Sequence, residues 1–195
     1  TMVSYLKAFG LGAPTGIGLP GEASGQIPKP NMPDYTRDQI AFGQGLSVTA
    51  LQEAAAVAGV VSGGVYHSPT ILRSAVDGHG EPVEIPEATT RRVISQQASE
   101  QVRDMMENVV STAKDRPIPD SRMGGKTGTA QRIDPACRCY RGYISSFVAV
   151  APIEKPRILT YVAINQPSNG HTGAVVAKPA ARQLMSVALP RYGVQ

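Results

Sequence analysis

The chain has 195 residues, 42% hydrophobic and 17% charged, which is enough apolar material for one domain with a buried core. Its net charge of +4 is scattered and only 5% of its residues are aromatic, which argues against a nucleic-acid binder, whose surface is basic and studded with aromatics. No run reaches the roughly 18 apolar residues of a membrane span, and the opening residues lack the basic-then-apolar form of a secretion signal.

Met2, Val3, Leu6 and Phe9 recur at helical spacing, so the periodicity predicts a short helix over residues 1–9, stopped by Gly10 and Gly12. Residues 10–35 are rich in Gly and Pro and predict an ordered, irregular excursion. Thr49 and Gln52 have the spacing of a capping box at the start of a second helix, which runs through an Ala-rich segment to Val61 and ends at Gly63-Gly64. Glu53 is its one charged residue, as expected of a helix buried on most sides. Residues 69–76 predict a strand. A third helix is predicted over 97–113, with Val102, Met105, Met106, Val109 and Val110 forming one apolar stripe. Three strands are predicted over 125–132, 143–151 and 157–165, the last two joined as an antiparallel hairpin by the Pro152–Pro156 turn. A final helix over 173–188 is expected to lie on the sheet through Val175, Val176, Leu184 and Val187.

Several motifs resolve into ordinary structure. Gly16, Gly18 and Gly21 match a dinucleotide fingerprint, but Pro20 interrupts it and no helix follows. Gly125-Lys126-Thr127 imitates the end of a phosphate-binding loop, but Asp120 stands where that loop needs glycine, and strand follows instead of helix. Cys137 and Cys139 are spaced C-x-C, and His67, His79 and His171 show no ligand spacing, so no metal site is expected. The two cysteines are either free thiols or a local disulfide. The mild positive excess suits an anionic substrate or an anionic polymer without identifying either.

The informative segment is Gly124-Gly-Lys-Thr-Gly-Thr-Ala-Gln131. A lone K-T-G is unspecific. K-T-G-T-A on an edge-like strand, after a helix and before two antiparallel strands, is much more so. Lys126-Thr127-Gly128 with Thr129-Ala130 resembles the third active-site motif of penicillin-binding proteins. Thr15-Gly-Ile-Gly-Leu-Pro-Gly-Glu22 and Gly43-Gln-Gly-Leu-Ser-Val-Thr49 resemble class B transpeptidases in order and spacing, with a lean towards the septal, mycobacterial-like branch. The resemblance covers nearly the whole chain.

It implies an α/β (α+β) fold, half of the penicillin-binding, serine β-lactamase-like transpeptidase fold, with a mainly antiparallel sheet flanked by helices. It also implies a D,D-transpeptidase that cross-links peptidoglycan stem peptides and is acylated by β-lactam antibiotics, with no cofactor. Lys126, Thr127, Gly128 and Thr129 would bind the substrate carboxylate, and the Thr129 N–H would form half of an oxyanion hole. The other motifs of the family are missing in usable form. S-x-x-K, a serine nucleophile one turn from its lysine base, occurs as Ser4–Lys7, in a helix too short to be the catalytic one, and as Ser111–Lys114, at the wrong end of its helix. S-x-N does not occur.

Residues 1–195 are therefore expected to be the C-terminal portion of one transpeptidase domain, starting just after S-x-N and inactive alone. The rest of the domain would be a partner, with division proteins as further partners. The expected location is the extracytoplasmic face of the membrane, anchored by an N-terminal segment absent here. Two other readings of the same residues are a non-catalytic sensor or binding module and a β-lactamase or carboxypeptidase.

Overall fold

A computed structural model describes residues 2–111, without the Ser111 side chain, and 122–194. Helix α1, Met2–Ala8, is the first expected helix. The irregular segment after it closes on itself where the Glu22 carboxylate accepts hydrogen bonds from the Thr15 N–H at 2.6 Å and the Gly16 N–H at 3.2 Å. The Thr15 side chain and these backbone N–H groups hold the Glu22 carboxyl below its ordinary range. A short helix that periodicity did not reveal, α2, Asp34–Ile40, ends the excursion. It buries only Ile40, which leaves no stripe to read.

Helix α3, Ala50–Val61, begins with the expected capping box: Gln52 N–H donates to Thr49 Oγ1 at 3.1 Å and Thr49 N–H to Gln52 Oε1 at 2.9 Å. The Gln52 side chain is 1% exposed and has a second task. Its Nε2 donates to the carbonyls of Ala13 and Ser24, at 2.7 and 2.9 Å, and so ties the excursion to α3.

Strands β1, Val65–His67, and β4, Thr90–Arg92, pair antiparallel, as do β2, Ala75–Val76, and β3, Pro82–Val83. The strand expected over 69–76 is therefore only its last two residues. Pro69 has no N–H to give a ladder, and the Leu72 N–H is taken by Thr70 Oγ1 at 3.1 Å, a local turn that competes with pairing.

Helix α4, Gln96–Ser111, reaches back over the end of α3: Ser99 Oγ accepts from the Gly63 N–H, and Arg103 donates to the Val61 carbonyl. Strands β5, Gly124–Asp134, β6, Cys139–Ala151, and β7, Ile158–Asn165, form one antiparallel sheet in the order β5-β6-β7. Helices α5, Gly173–Val176, and α6, Lys178–Arg191, follow.

The sheet is a layer between two helical layers. One face presents Val148, Val150, Leu159 and Tyr161 to Val57 and Val61 of α3 and to Val102 and Met106 of α4. The other presents Phe147, Ala149 and Ala151 to Ala177, Ala181, Met185 and Leu189. The α4 stripe is narrower than expected: Met106 and Val110 are buried, while Met105 and Val109 are exposed. The last helix differs more. It breaks at Ala177, with Pro179 in the first turn of α6. Val175, Leu184 and Val187 face solvent, and the small pair Ala177 and Ala181 lets the helix lie close on the sheet. Met185 and Leu189 fill the rest of that contact face.

Phe147 is 1% exposed at the centre of this packing, and its replacement by Ala is expected to cost about 3–5 kcal/mol in urea denaturation. Burial pushes the Glu53 carboxyl above its ordinary range. The fold therefore favours its protonated form, and the resulting stability is present below the unfolded-state value and lost as pH rises through the raised native one. Glu53→Gln is expected to melt above the parent protein near neutral pH, with the gap closing on acidification.

Candidate active site

Lys126–Thr129 lies in β5, the outer strand of its sheet, so one edge of this segment has no strand partner among the described residues. The register sets Lys126 opposite Val148, Thr127 opposite Phe147, Gly128 opposite Ser146 and Thr129 opposite Ser145. Side chains alternate along a strand, so Lys126 and Gly128 belong to the α3–α4 face, and Thr127 and Thr129 to the α5 face. The ammonium and the two hydroxyls expected to share one carboxylate are thus on opposite faces. They can converge only around the bare edge. Lys126 and Thr129 are exposed, Thr127 and Gly128 half-buried. Lys126 Nζ curls to the Thr127 carbonyl at 2.6 Å.

Two glycines make the arrangement possible. A Cβ on Gly128 would land on Ser146 Oγ, so any side chain there requires Ser146 to turn its hydroxyl away. A Cβ on Gly173 would collide with the Ser146 and Gly128 carbonyl oxygens. The N-terminus of α5 therefore rests directly on the strand backbone, and the Gly173 N–H donates to Thr129 Oγ1 at 3.2 Å. That bond uses an acceptor site of the hydroxyl and leaves its proton free to be donated.

The segment before α5 is held by β6. Ser145, fully buried, donates to the His171 carbonyl at 2.6 Å. The His171 ring stacks on Tyr143 with centroids 4.7 Å apart, and the Gln166 N–H donates to the Tyr143 carbonyl at 2.9 Å. Sequence reasoning missed Tyr143, Ser145, His171 and Gly173. The Gly170–Gly173 cluster marks a turn before a helix, but only the pairing register shows that it lands on Thr129. On the opposite face, burial pushes the Tyr161 hydroxyl up against the opposing effect of a hydrogen bond with Ser146.

Of the two S-x-x-K matches, only Ser4–Lys7 lies within the described residues. Ser4 and Lys7 are exposed on α1, which is docked to β4 through an Arg91 Nε bond to the Ala8 carbonyl at 2.6 Å. Ser111–Lys114 runs outside the described residues. Cys137 and Cys139, open between two states from sequence, form a disulfide at the tip of the β5–β6 hairpin. No group of three or more potential metal ligands occurs among the described residues.

A bare edge strand reading K-T-G-T-A in an antiparallel sheet with helices on both faces is the arrangement that the sequence resemblance leads one to expect. The chain belongs to the penicillin binding protein transpeptidase domain family, whose description matches residues 1–186. It is 34% identical over 200 residues to Stage V sporulation protein D of Bacillus subtilis, covering 100% of this chain and 31% of that protein. It is 34% identical over 199 residues to peptidoglycan D,D-transpeptidase FtsI of Escherichia coli, covering 100% of this chain and 32% of that protein. The crystal structure of penicillin binding protein 3 from Mycobacterium tuberculosis complexed with ampicillin superposes with a TM-score of 0.87 at 32% identity, over 98% of this chain and 46% of that one. The chain thus spans about a third of the length of these curated relatives.

Gly173→Ala is expected to push α5 off the strand and lower stability by about 1–3 kcal/mol, read as a lower melting temperature.

Proposed function

We propose that the chain forms the substrate-recognition part of a serine D,D-transpeptidase that cross-links peptidoglycan stem peptides during septal wall synthesis and is acylated by β-lactams. The observation that carries this is the bare edge at Lys126–Thr129. An extended peptide can add there as a further strand. Its terminal carboxylate would meet the Lys126 ammonium from one face and the Thr127 and Thr129 hydroxyls from the other, in charge-assisted hydrogen bonds. Gly128 presents no side chain to the incoming backbone.

The oxyanion role of Thr129 has local support. The Thr127 carbonyl is open to the Lys126 ammonium, and backbone groups of residues i and i+2 point to the same edge of a strand, so the Thr129 N–H shares that edge. In the proposed reaction a serine attacks the penultimate D-Ala carbonyl, and the oxyanion that forms is held by the Thr129 N–H. Terminal D-Ala then leaves, and an amine of a second stem peptide takes the acyl group. The names of FtsI and of the ampicillin complex support this reading of their shared fold.

Serine and base are assigned to a part of the domain outside these residues, because Ser4 and Lys7 sit on a seven-residue surface helix. This chain alone is then inactive. The proposed site of action is outside the cytoplasmic membrane, with anchoring supplied from elsewhere in the protein. The Cys137–Cys139 disulfide suits an oxidising compartment, and no helix among the described residues is long and apolar enough to cross a membrane.

Fluorescent penicillin tests the assignment. The isolated chain is expected to take no covalent label, and the remainder of the domain to take it when the two are combined. A mass shift on Ser4 or Ser111 of the isolated chain would contradict it. In the intact protein, Lys126→Ala is expected to slow acylation about a hundredfold and Thr127→Val about tenfold, the scale of losing charged and neutral hydrogen bonds to the carboxylate. Transfer to an added amine, rather than hydrolysis of the acyl-enzyme, separates a transpeptidase from a β-lactamase or carboxypeptidase.

A further inference from the structure

The hairpin beyond the KTG segment is built differently from the sheet below it. Strand β7 meets β6 only from Ile144 onward, where Ile144 pairs with Asn165. Residues 132–142 therefore extend beyond β7 as a two-stranded arm. The arm carries Arg132, Arg138 and Arg141 against a single acid, Asp134. That carboxylate is occupied within the turn, accepting from the Ala136 N–H at 2.9 Å. None of the three arginines makes an ion pair or a side-chain hydrogen bond among the described residues.

The ladder brings two of them together. Gln131 pairs with Tyr143 and Ile133 with Tyr140, so β6 has one residue too many at this point, and Gly142 absorbs it at φ +79°. Arg132 is thereby set across from Arg141-Gly142. Like charges facing across a ladder repel, and no ion pair among the described residues relieves them. At the tip, the Cys137–Cys139 disulfide, Arg138 at φ +51° and the Arg138 N–H bond to the Asp134 carbonyl restrict the turn. Arg138 and Arg141 are exposed and Arg132 half-buried on this restrained frame, whose fixed turn lowers the ordering cost of binding.

We propose that this arm binds a carboxylate-bearing peptidoglycan strand, extending the substrate contact beyond the K-T-G-T-A edge. The proposal rests on the transpeptidase reading for the identity of the ligand. Its argument is continuity and charge. Arg132 is three residues along the same strand from Thr129, about 10 Å at strand rise. Carboxylates of a stem peptide or of its neighbour on the glycan, held at the edge, fall within guanidinium reach, and guanidinium binds carboxylate through paired hydrogen bonds. Ile133 and Tyr140, directly paired and 60% and 47% exposed, offer an apolar contact for methyl groups or sugar faces. A single D-alanyl dipeptide or a β-lactam is too short to use the arm.

The test is fluorescence anisotropy of labelled, un-cross-linked peptidoglycan strands released by a muramidase, titrated with the intact protein. Arg132→Gln/Arg141→Gln is expected to weaken binding about tenfold and to flatten its salt dependence. Arg37→Gln, an exposed arginine outside the arm, serves as control and should bind like the parent. A second measurement needs no variant: strands with amidated carboxylates should bind the parent about as weakly as untreated strands bind the arm variant. Equal affinity of parent and arm variant, indifference to amidation, or tighter binding of a soluble phosphodiester wall polymer than of the strands would overturn the proposal. Penicillin labelling of the parent is scored separately, so failure of the transpeptidase reading is distinguishable from failure of the arm.

Discussion

The site depends on one constraint: β5 is held by β6 along one edge and by α5 on one face, and its other edge has no strand partner among the described residues. The Ser146 hydroxyl stands over Gly128, and the backbone of Gly173 rests on the carbonyls of Gly128 and Ser146. These contacts back the strand on the side away from its bare edge. Rigid backing of this kind holds N–H and C=O groups in place before a ligand arrives, so the ordering cost is met on folding and not on binding.

The backing is itself supported in layers. Val148 and Val150 anchor β6 to α3 and α4, and Phe147 and Ala149 anchor it to α6, so alternate residues of one strand join both helical layers. Arg122, just before β5, grips Glu107 of α4 through two hydrogen bonds, at 2.7 and 2.6 Å. That pair is partly exposed and adds only modestly to stability, but it sets where the strand enters the sheet. The excursion before α3 reaches the same core less directly. Gln52, buried and saturated with hydrogen bonds, converts a Gly- and Pro-rich loop into a fixed rim.

Charge is distributed unevenly around this frame. Glu53 is partly withdrawn from solvent behind the sheet, which raises its carboxyl above the ordinary range, Glu22 is held below that range by its loop, and the arginines of the β5–β6 arm have no ion-pair partner among the described residues. The first two are internal to the fold. The third is directed outward, on the strand that carries Lys126, and it is the part of the molecule whose charge the fold does not explain.

Much was legible without coordinates. Thr49 and Gln52 announced their capping box because an N-terminus leaves free N–H groups that few residue types can satisfy at that spacing. Lys126–Thr129 was legible as an edge-strand motif because its flanking hydrophobic periods require a helix before it and a hairpin after it. Local chemistry and hydrophobic period therefore determined most of the element types, and resemblance to a known motif singled out the Lys126–Thr129 segment. Tertiary structure decided the contact face of α6, where small Ala177 and Ala181 displaced larger Val175 and Val187. It also brought α5 down on β5, so that the Gly173 N–H reaches Thr129 Oγ1. These outcomes depend on which atoms meet across long separations, and on whether a Cβ fits between two backbones, neither of which a single segment encodes.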